Sequence, residues 1–283
     1  MSTIVIGMEN TGSIFEESEK TFIELSNSQR LQIINALKNA SMNLTLLAKH
    51  LGITMQEAHR NFNRLMDSGI VTRDSNGSYS LTTFGNTITT QIPSINFLSK
   101  NKNYFSEHNF GNLPMKFVQR IGSLDDSKFI QGLVAVIEEI KEMYRDSNEY
   151  IYGMIPQVPL DLMEVATKIV MEKKIKFNYI LPKNAEVPKK GKDFLNEINY
   201  PELLKSGLVE RKMIDEVKVS VLLNERKALL MFPSIKGETD MNGAFSSSID
   251  RENNNLFHEW CLDFFRYSWL NSRPFDHSKL REV

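Results

Sequence analysis

The strongest constraint on the fold is a short turn between two helical segments near residue 52. Residues 44–51 have leucines at helical spacing and end at Gly52, a residue type that commonly closes a helix in the left-handed conformation. Thr54 follows almost at once and lies three residues before Glu57, so the pattern predicts a capping box at the start of a second helix. Two helices joined by so short a turn must cross at an angle, which favours a small helical core built around this corner.

The flanking sequence predicts the rest of that core. Residues 18–38 have helical periodicity, with a break near Ser26–Ser28. After the capped helix come two short strands, 70–73 and 78–81, joined through a turn that ends in Gly77, a hairpin signal because glycine supplies the positive φ at the tip. This order predicts a winged helix-turn-helix over 18–98, preceded by a mobile leader over 1–17.

The capped helix over 54–68 has the amphipathic pattern of a DNA-reading helix. Ala58, Phe62, Leu65 and Met66 form its predicted buried stripe. The major groove admits one α-helix, so the opposite face has to carry polar side chains. The predicted DNA-binding residues share a polar or basic side chain on this helix, at the end of the helix before it, or on the hairpin: Lys49, Thr54, Gln56, His59, Arg60, Asn63, Arg64 and Arg73. Among these, we expect Gln56, His59 and Asn63 to contact base edges.

Charge is unevenly distributed along the chain and supports the same hypothesis. The whole chain has a net charge of −1, but residues 20–120 carry 11 lysines and arginines against five acids. The first 19 residues carry only acids, and residues 121–283 are mildly acidic. The net charge of the whole chain is close to zero, but residues 20–120 are basic. This excess of positive charge indicates an anionic partner for that part of the chain, double-stranded DNA in this hypothesis.

The second half predicts a mixed α/β domain over 123–272, after a linker at 99–122 and before a tail at 273–283. The fold class is therefore α+β, with an N-terminal winged helix-turn-helix followed by a C-terminal α/β effector domain. The expected elements are helices over 125–144, 160–172, 194–204 and 253–270, strands over 149–154, 175–181, 208–213, 217–223 and 227–232, and loops over 183–192 and 237–250.

Several of these runs resemble known families of archaeal regulators. The N-terminal motifs are similar to the ArsR-type winged helix: Leu44–Gly52, Thr54–Leu65, Ser68–Val71 and Tyr79–Gly85. The C-terminal runs resemble, in the same order, the effector domain of the methanogenesis-regulator family: Leu113–Leu124, Lys176–Leu181, Val217–Phe232 and Gly237–Asp240. The resemblance implies a sequence-specific transcriptional regulator whose C-terminal domain senses a small-molecule effector, dimerises, or does both.

Other chemistry finds little support in the sequence. There is no P-loop, no G-x-S-x-G and no G-x-G-x-x-G, and only His277–Lys279 matches the first half of the H-x-K-x4-D run of phospholipase D enzymes, so we predict that the chain is not an enzyme. The histidines have no metal-ligand spacing, and we expect no metal and no cofactor. The single cysteine, Cys261, excludes an internal disulfide, is expected to pack in the core, and favours a cytoplasmic protein. No stretch is long and apolar enough to span a membrane.

Two further expectations concern partners. The aromatic side chains of the last helix are too many for one narrow stripe, which favours a homodimer. If an effector pocket exists, strand ends in α/β domains place it near Tyr152, Phe232 and Asp240. The alternative from another class is a protein–protein adaptor whose winged helix binds protein without DNA; a steep salt dependence of DNA binding would distinguish the two.

Overall fold

A computed structural model describes residues 11–157, 159–187, 189–249, 255–279 and 281–282. The chain divides into two compact units, residues 1–92 and 93–283, with α6 (Ile92–Lys100) starting at the boundary. Residues 1–10, the larger part of the predicted leader, lie outside the described residues.

Over its described residues, the first unit has five helices and a three-stranded sheet. Its helices are α1 (Thr11–Leu25), α2 (Ser28–Leu37), α3 (Leu44–Leu51), α4 (Met55–Asp67) and α5 (Thr83–Thr89). Its strands are β1 (Met42–Asn43), β2 (Val71–Arg73) and β3 (Ser78–Leu81). The strand order is β1-β3-β2, and both pairings are antiparallel.

Local capping sets the helix starts in this unit. Asn27, Asn43, Thr54 and Thr82 each accept a hydrogen bond from the backbone N–H three residues later, which satisfies one donor that the first helical turn leaves without a partner. Gly52 ends α3 with φ at 65°, as the sequence predicted. The break near Ser26–Ser28 is confirmed, because α1 ends at Leu25 and Asn27 caps α2.

The core of the first unit lies beneath α4 and the hairpin. Phe62 of α4 is fully buried and stacks on Tyr79 of β3 with 3.8 Å between ring centroids. Gly85 at the start of α5 allows a close approach to the hairpin, since a Cβ there would lie 2.0 Å from the carbonyl oxygen of Ile70. Strand pairing and helix packing therefore fix the orientation of α4.

The predicted leader was wrong for residues 11–17, which belong to α1. Lys20 pairs with Glu16 and Glu17 one turn earlier, an arrangement that favours helix. The helix nevertheless leaves Phe15 and Phe22 68% and 60% exposed.

The second unit is built on an eight-stranded mixed sheet. The strands of the second unit, including two outside the large sheet, are β4 (Lys128–Gln131), β5 (Tyr150–Met154), β6 (Lys176–Pro182), β7 (Glu186–Val187), β8 (Val209–Ile214), β9 (Ser220–Asn224), β10 (Lys227–Met231), β11 (Gly243–Ser248), β12 (Arg273–Pro274) and β13 (Arg281–Glu282). The order in the large sheet is β12-β8-β6-β5-β9-β10-β11-β4, and β7 pairs separately with β13. The strands β5, β6 and β8 are parallel, while β9, β10, β11 and β4 pair antiparallel.

Helices cover both faces of this sheet. They are α7 (Tyr104–Glu107), α8 (Met115–Val118), α9 (Leu133–Asp146), α10 (Leu160–Lys173), α11 (Lys189–Glu197), α12 (Tyr200–Lys205) and α13 (Leu256–Leu270), with 3₁₀ turns at Ile121–Leu124 and His277–Lys279. One apolar core holds α13 and its fully buried Trp260 against one face, and a second core holds α9 and α10 against the other. The predicted mixed α/β architecture is confirmed at this level.

The predicted helix over 125–144 was wrong in its first third. Residues 128–131 form β4, which pairs with β11, and the helix begins only at Leu133. Gly132 separates the two with φ at 101°, a conformation that β-carbon-bearing residues rarely adopt. The spacing of Phe129, Leu133 and Val136 imitates a helix although the first of these residues is in a strand.

Other segments predicted as irregular are ordered parts of the second unit. Within the predicted linker 99–122, Phe117 and Ile121 are buried in the core beside Trp260. The predicted loop over 183–192 contains β7 and the start of α11, and the loop over 237–250 contains β11. The predicted tail contains β12 and β13. The strands β7, β11, β12 and β13 were missed because a short strand gains its stability from a distant partner that local sequence does not show.

The last helix packs its aromatic side chains inside its own unit. Phe257, Trp260, Phe264 and Phe265 of α13 are all buried, and Cys261 among them is fully buried with the pKa of its thiol raised by burial, as expected for a packing cysteine. Core packing thus accounts for the many aromatic side chains of this helix without a homodimer. Among the described residues, no helix is long and apolar enough to cross a membrane.

Candidate nucleic-acid interface

The helix α4 has one anchored side and one solvent side. Ala58, Phe62 and Leu65 are fully buried. Asn61 is also buried, and its side-chain amide donates to Oε1 of Gln29 at 2.9 Å, which fixes α4 against α2. Met66, predicted as part of the buried stripe, is only half-buried. The anchored side therefore holds the helix rigidly and leaves its other side free to contact a partner.

Most of the predicted site residues lie on that solvent side. Gln56, His59 and Arg60 are exposed. Asn63 is half-buried, and its Nδ2 lies 3.3 Å from Nδ1 of His59 one turn earlier. Lys49 is exposed at the end of α3. Together these side chains present amide, imidazole, guanidinium and ammonium groups, which can bond base edges or phosphates.

Arg64 is held by an ion pair that the sequence did not predict. Its guanidinium binds the Glu24 carboxylate of α1 through two nitrogens, at 2.5 Å from Nη2 to Oε1 and 3.0 Å from Nε to Oε2. This pairing lowers the pKa of Glu24, mainly through the hydrogen bond from Arg64. Arg64 therefore ties α4 to α1. The two residues are 40 positions apart, and no local sequence signal connects them.

The Thr54 side chain is occupied at the start of α4. Its hydroxyl oxygen accepts from the Glu57 N–H at 3.2 Å, and Glu57 Oε2 in turn accepts from the Thr54 N–H at 2.9 Å, which completes the predicted capping box. The hydrogen bonds from Thr54, the backbone bond first, lower the pKa of Glu57. Thr54, predicted to contact DNA, thus has a structural role in orienting the first turn of the helix.

Arg73 is the last residue of β2 and lies next to the turn of the hairpin between β2 and β3. The Asp74 carboxylate accepts hydrogen bonds from the N–H groups of Asn76 and Ser78, and Gly77 supplies φ of 83° at the tip. The Arg73 guanidinium is exposed and lies 5.5 Å from the centre of the Tyr79 ring. The turn is therefore shaped by its own hydrogen bonds, and the exposed Arg73 side chain lies beside it.

The cations of this surface differ in their availability. Lys49, Arg60 and Arg73 make no ion pair with any residue in the described part of the chain, whereas Arg30 and Arg64 are both paired with Glu24. An unpaired, exposed guanidinium or ammonium keeps its full charge for a phosphate.

The residues predicted to line an effector pocket do not form one group. Phe232 is fully buried among aromatic rings, and Tyr152 stacks between Tyr150 and Phe265 elsewhere in the same core. Register separates them, because Tyr152 lies opposite Leu223 on β9, well away from the end of β10.

The third predicted pocket residue, Asp240, is held in a hydrogen-bonded cluster. One oxygen lies 3.1 Å from Nε2 of His108, and the other accepts from the backbone and side chain of Asn242. Burial acts to raise the pKa of Asp240, but the hydrogen bonds from Asn242 and His108 outweigh it and lower the pKa. The Tyr104 ring stacks on His108 at 3.8 Å.

No group of three or more histidine, cysteine, aspartate or glutamate side chains within the described ranges is arranged to hold a metal ion. His258 is buried and hydrogen-bonds through Nε2 to the carbonyl of Asn224 at 2.6 Å, a structural contact. The side chain of His277, the residue of the partial phospholipase D run, lies outside the described residues.

Comparisons with known proteins give remote structural neighbours only. No protein-family model and no curated protein matches this chain. TrmBL2, an archaeal chromatin protein whose structure shows a novel mode of DNA binding, is 13% identical, covers 88% of this chain and 94% of its own, and superposes with a TM-score of 0.39. The homodimeric winged helix-turn-helix DNA-binding domain of a possible ArsR-family regulator from Mycobacterium bovis is 16% identical, with coverages of 36% and 92% and a TM-score of 0.29.

Enzymes are also among the neighbours. Nuc, a phospholipase D family member from Salmonella typhimurium, is 9% identical, with coverages of 53% and 99% and a TM-score of 0.37. Other neighbours are O-methyltransferases. These enzymes among the structural neighbours contradict the prediction that the chain is not an enzyme. At these identities and TM-scores, no likeness establishes a function for this chain.

Proposed function

We propose that the first unit is a winged helix-turn-helix that binds duplex DNA, and that the chain is a sequence-specific transcriptional regulator. The observation that carries the proposal is the two-sided character of α4. Ala58, Phe62 and Leu65 anchor one side, while Gln56 and Arg60 lie in solvent on the other. A helix of about 10–12 Å diameter fits the major groove, which is about 12 Å wide.

The surrounding charges support this orientation. Lys49 lies at the end of α3 and Arg73 next to the turn of the hairpin, on elements adjacent in sequence to α4, and both are exposed and without an ion pair to any described residue. With α4 in the groove, they would contact the phosphates on its two sides, and Gln56, His59 and Asn63 would contact base edges.

The structure changes which residues we assign to DNA. Arg64 and Thr54 belong to the supports of α4, because their polar atoms are engaged with Glu24 and Glu57. The proposed DNA-binding set is Lys49, Gln56, His59, Arg60, Asn63 and Arg73. We further propose that the chain acts as a homodimer, since paired half-sites need two such helices. Sensing of a small molecule by the second unit stays a prediction.

Two arginines of the same helix provide a matched test. Arg60→Ala removes an unpaired guanidinium, whereas Arg64→Ala removes one that Glu24 already binds. The purified chain is titrated with duplex DNA at several salt concentrations. Arg60→Ala should weaken binding by about 1–3 kcal/mol. If Arg60 contacts a phosphate, the variant should also reduce the slope of log affinity against log salt concentration by about one. Arg64→Ala should change affinity and slope much less.

The competing adaptor hypothesis predicts a different result. A winged helix that binds only protein would give weak DNA binding with no steep salt dependence in the unmodified chain. Equal losses for Arg60→Ala and Arg64→Ala would also contradict the proposed placement of α4, because only Arg60 is free of an ion pair to a described residue.

A further inference from the structure

The strand β4 forms an open edge of the eight-stranded sheet. Among the described residues, it has one neighbour in that sheet, β11, and Lys128, Phe129 and Gln131 are exposed. The opposite edge ends in β12, which has only two residues, one of them Pro274, which has no backbone N–H to donate. The strand β4 has four residues and no proline, so its outward backbone groups can pair with another strand.

The register identifies which backbone groups of β4 point outward. Gly132 donates to the carbonyl of Asn242 at 2.6 Å, and the pairing continues through Ile130 opposite Ala244 and Lys128 opposite Ser246. Bonded and non-bonded positions alternate along an antiparallel pair. The N–H and C=O groups of Ile130 and Lys128 therefore face β11, and those of Phe129 and Gln131 point away from the sheet.

We propose that β4 pairs antiparallel with β4 of a second copy of this chain, about a two-fold axis through Ile130. The outward groups of Phe129 and Gln131 lie symmetrically about Ile130. In this register each Phe129 therefore exchanges both backbone hydrogen bonds with Gln131 of the second copy. The contact comprises four such bonds and joins the two sheets edge to edge.

Charge and apolar exposure favour a second copy as the occupant. The register places each Lys128 opposite the uncharged Gly132 of the other copy and keeps the two lysines about 14 Å apart, at about 3.4 Å per residue. Exposed apolar side chains flank the strand, since Phe129 is 43%, Leu133 45% and Val134 76% exposed. The edge therefore combines self-complementary hydrogen bonds, no opposed like charges, and apolar area that a partner would cover.

The inference deepens the homodimer part of the proposed function and does not require that the chain bind DNA. It can be tested with one introduced cysteine on the full chain, since Cys261 is fully buried. Across the axis, the two Ile130 residues form a non-hydrogen-bonded pair with about 4.5 Å between Cα atoms, within the range that a disulfide spans. Mild oxidation of Ile130→Cys should therefore convert most of the protein to a covalent dimer on a non-reducing gel.

Lys128→Cys is the matched control, because in the proposed dimer the two cysteines at position 128 are too far apart to form a disulfide. It lies on the same strand and is more exposed than Ile130, so random collision would crosslink it at least as well. A second variant, Gln131→Pro, removes the outward N–H of residue 131 in each copy, and with it two of the four proposed bonds, while the N–H groups that face β11 remain; it should raise the dimer dissociation constant at least about tenfold in sedimentation equilibrium. Unchanged tryptophan fluorescence of each variant would show that its second unit is folded.

Three outcomes would overturn the proposal. The unmodified chain could be monomeric, Lys128→Cys could crosslink as fast as Ile130→Cys, or a stable dimer could form without the Ile130→Cys disulfide. The last outcome would place the interface elsewhere, for example on the exposed phenylalanines of α1. Because no DNA is present in these experiments, their failure is distinguishable from failure of the proposed DNA binding.

Discussion

The Glu24 carboxylate provides the sharpest stability prediction for the first unit. It lies between two arginines: Oε2 is 3.0 Å from Nε of Arg30, and Arg64 binds both carboxylate oxygens. The side chains of Glu24 and Arg30 are only 10% and 9% exposed, whereas that of Arg64 is 50% exposed. Glu24→Gln keeps the size of the side chain and removes its charge, so Arg30 becomes a buried cation without a counter-charge.

Glu24→Gln should lower the free energy of unfolding much more than Arg64→Ala. Breaking a buried ion pair costs about 3–5 kcal/mol. Arg30 keeps hydrogen bonds to the carbonyls of Glu24 and Ile23, at 2.8 and 2.9 Å, so we expect the lower end, about 3 kcal/mol. Arg64→Ala removes the half-exposed partner and leaves the Glu24–Arg30 pair intact, so its cost should be about 1 kcal/mol or less.

Urea unfolding with two signals can measure this difference. Both tryptophans, Trp260 and Trp269, are in the second unit, while far-UV circular dichroism follows the helices of both units. Glu24→Gln should shift a circular-dichroism transition to lower urea and leave the tryptophan transition in place. A smaller loss for Glu24→Gln than for Arg64→Ala would refute the assignment of Arg30 and Glu24 as the buried pair.

The Glu24 carboxylate, which both arginines contact, also gives the first unit a pH dependence. Because Arg64 lowers the pKa of Glu24 below its ordinary value of 4.5, the carboxylate stabilises the fold fully above that value. The contribution is lost as the pH falls through the lowered pKa. Glu24→Gln should therefore weaken the acid sensitivity of the first unit below pH 4.5, and an unchanged acid transition would contradict the prediction.

Two further predictions concern a helix cap and a buried histidine. Thr54→Ala removes the cap of α4 and should lower the unfolding free energy of the first unit by about 1 kcal/mol. Urea titrations followed by circular dichroism can measure this loss, with the exposed Thr45→Ala as a control that should change the unfolding free energy little. Equal effects of the two variants would contradict the capping role of Thr54. Burial lowers the pKa of His258 from its ordinary value of 6.5, so stability of the second unit should be complete above pH 6.5 and fall as the pH decreases below it. The tryptophan unfolding midpoint should follow this course and lose the dependence in His258→Gln; the same pH dependence in that variant would exclude His258 as its source.

The sequence predicted the first unit well because its signals are local. The glycine end at Gly52, the capping box at Thr54 and the turn at Gly77 each involve residues within a few positions of one another. Such patterns fix the helix boundaries and the hairpin, and the apolar stripe then orients α4. The candidate site could therefore be assigned to a helix face before its contacts were visible.

What the sequence missed depends on distant partners. The strand β4 owes its conformation to β11, more than a hundred residues later, while its own apolar spacing imitates a helix. The Arg64–Glu24 ion pair joins two helices whose sequences contain no signal of the contact. Polarity and helical phase alone could not distinguish the paired Arg64 from the unpaired Arg60, so the sequence assigned both to DNA.

Selection from random duplex DNA with the purified full-length chain tests the central claim most directly. If α4 reads base edges, selection should enrich one common sequence, and Gln56→Ala should relax the preference at a specific base position while the remaining positions keep theirs. Absence of any enriched sequence at physiological salt, or an identical preference for Gln56→Ala, would contradict the placement of this face of α4 in the major groove.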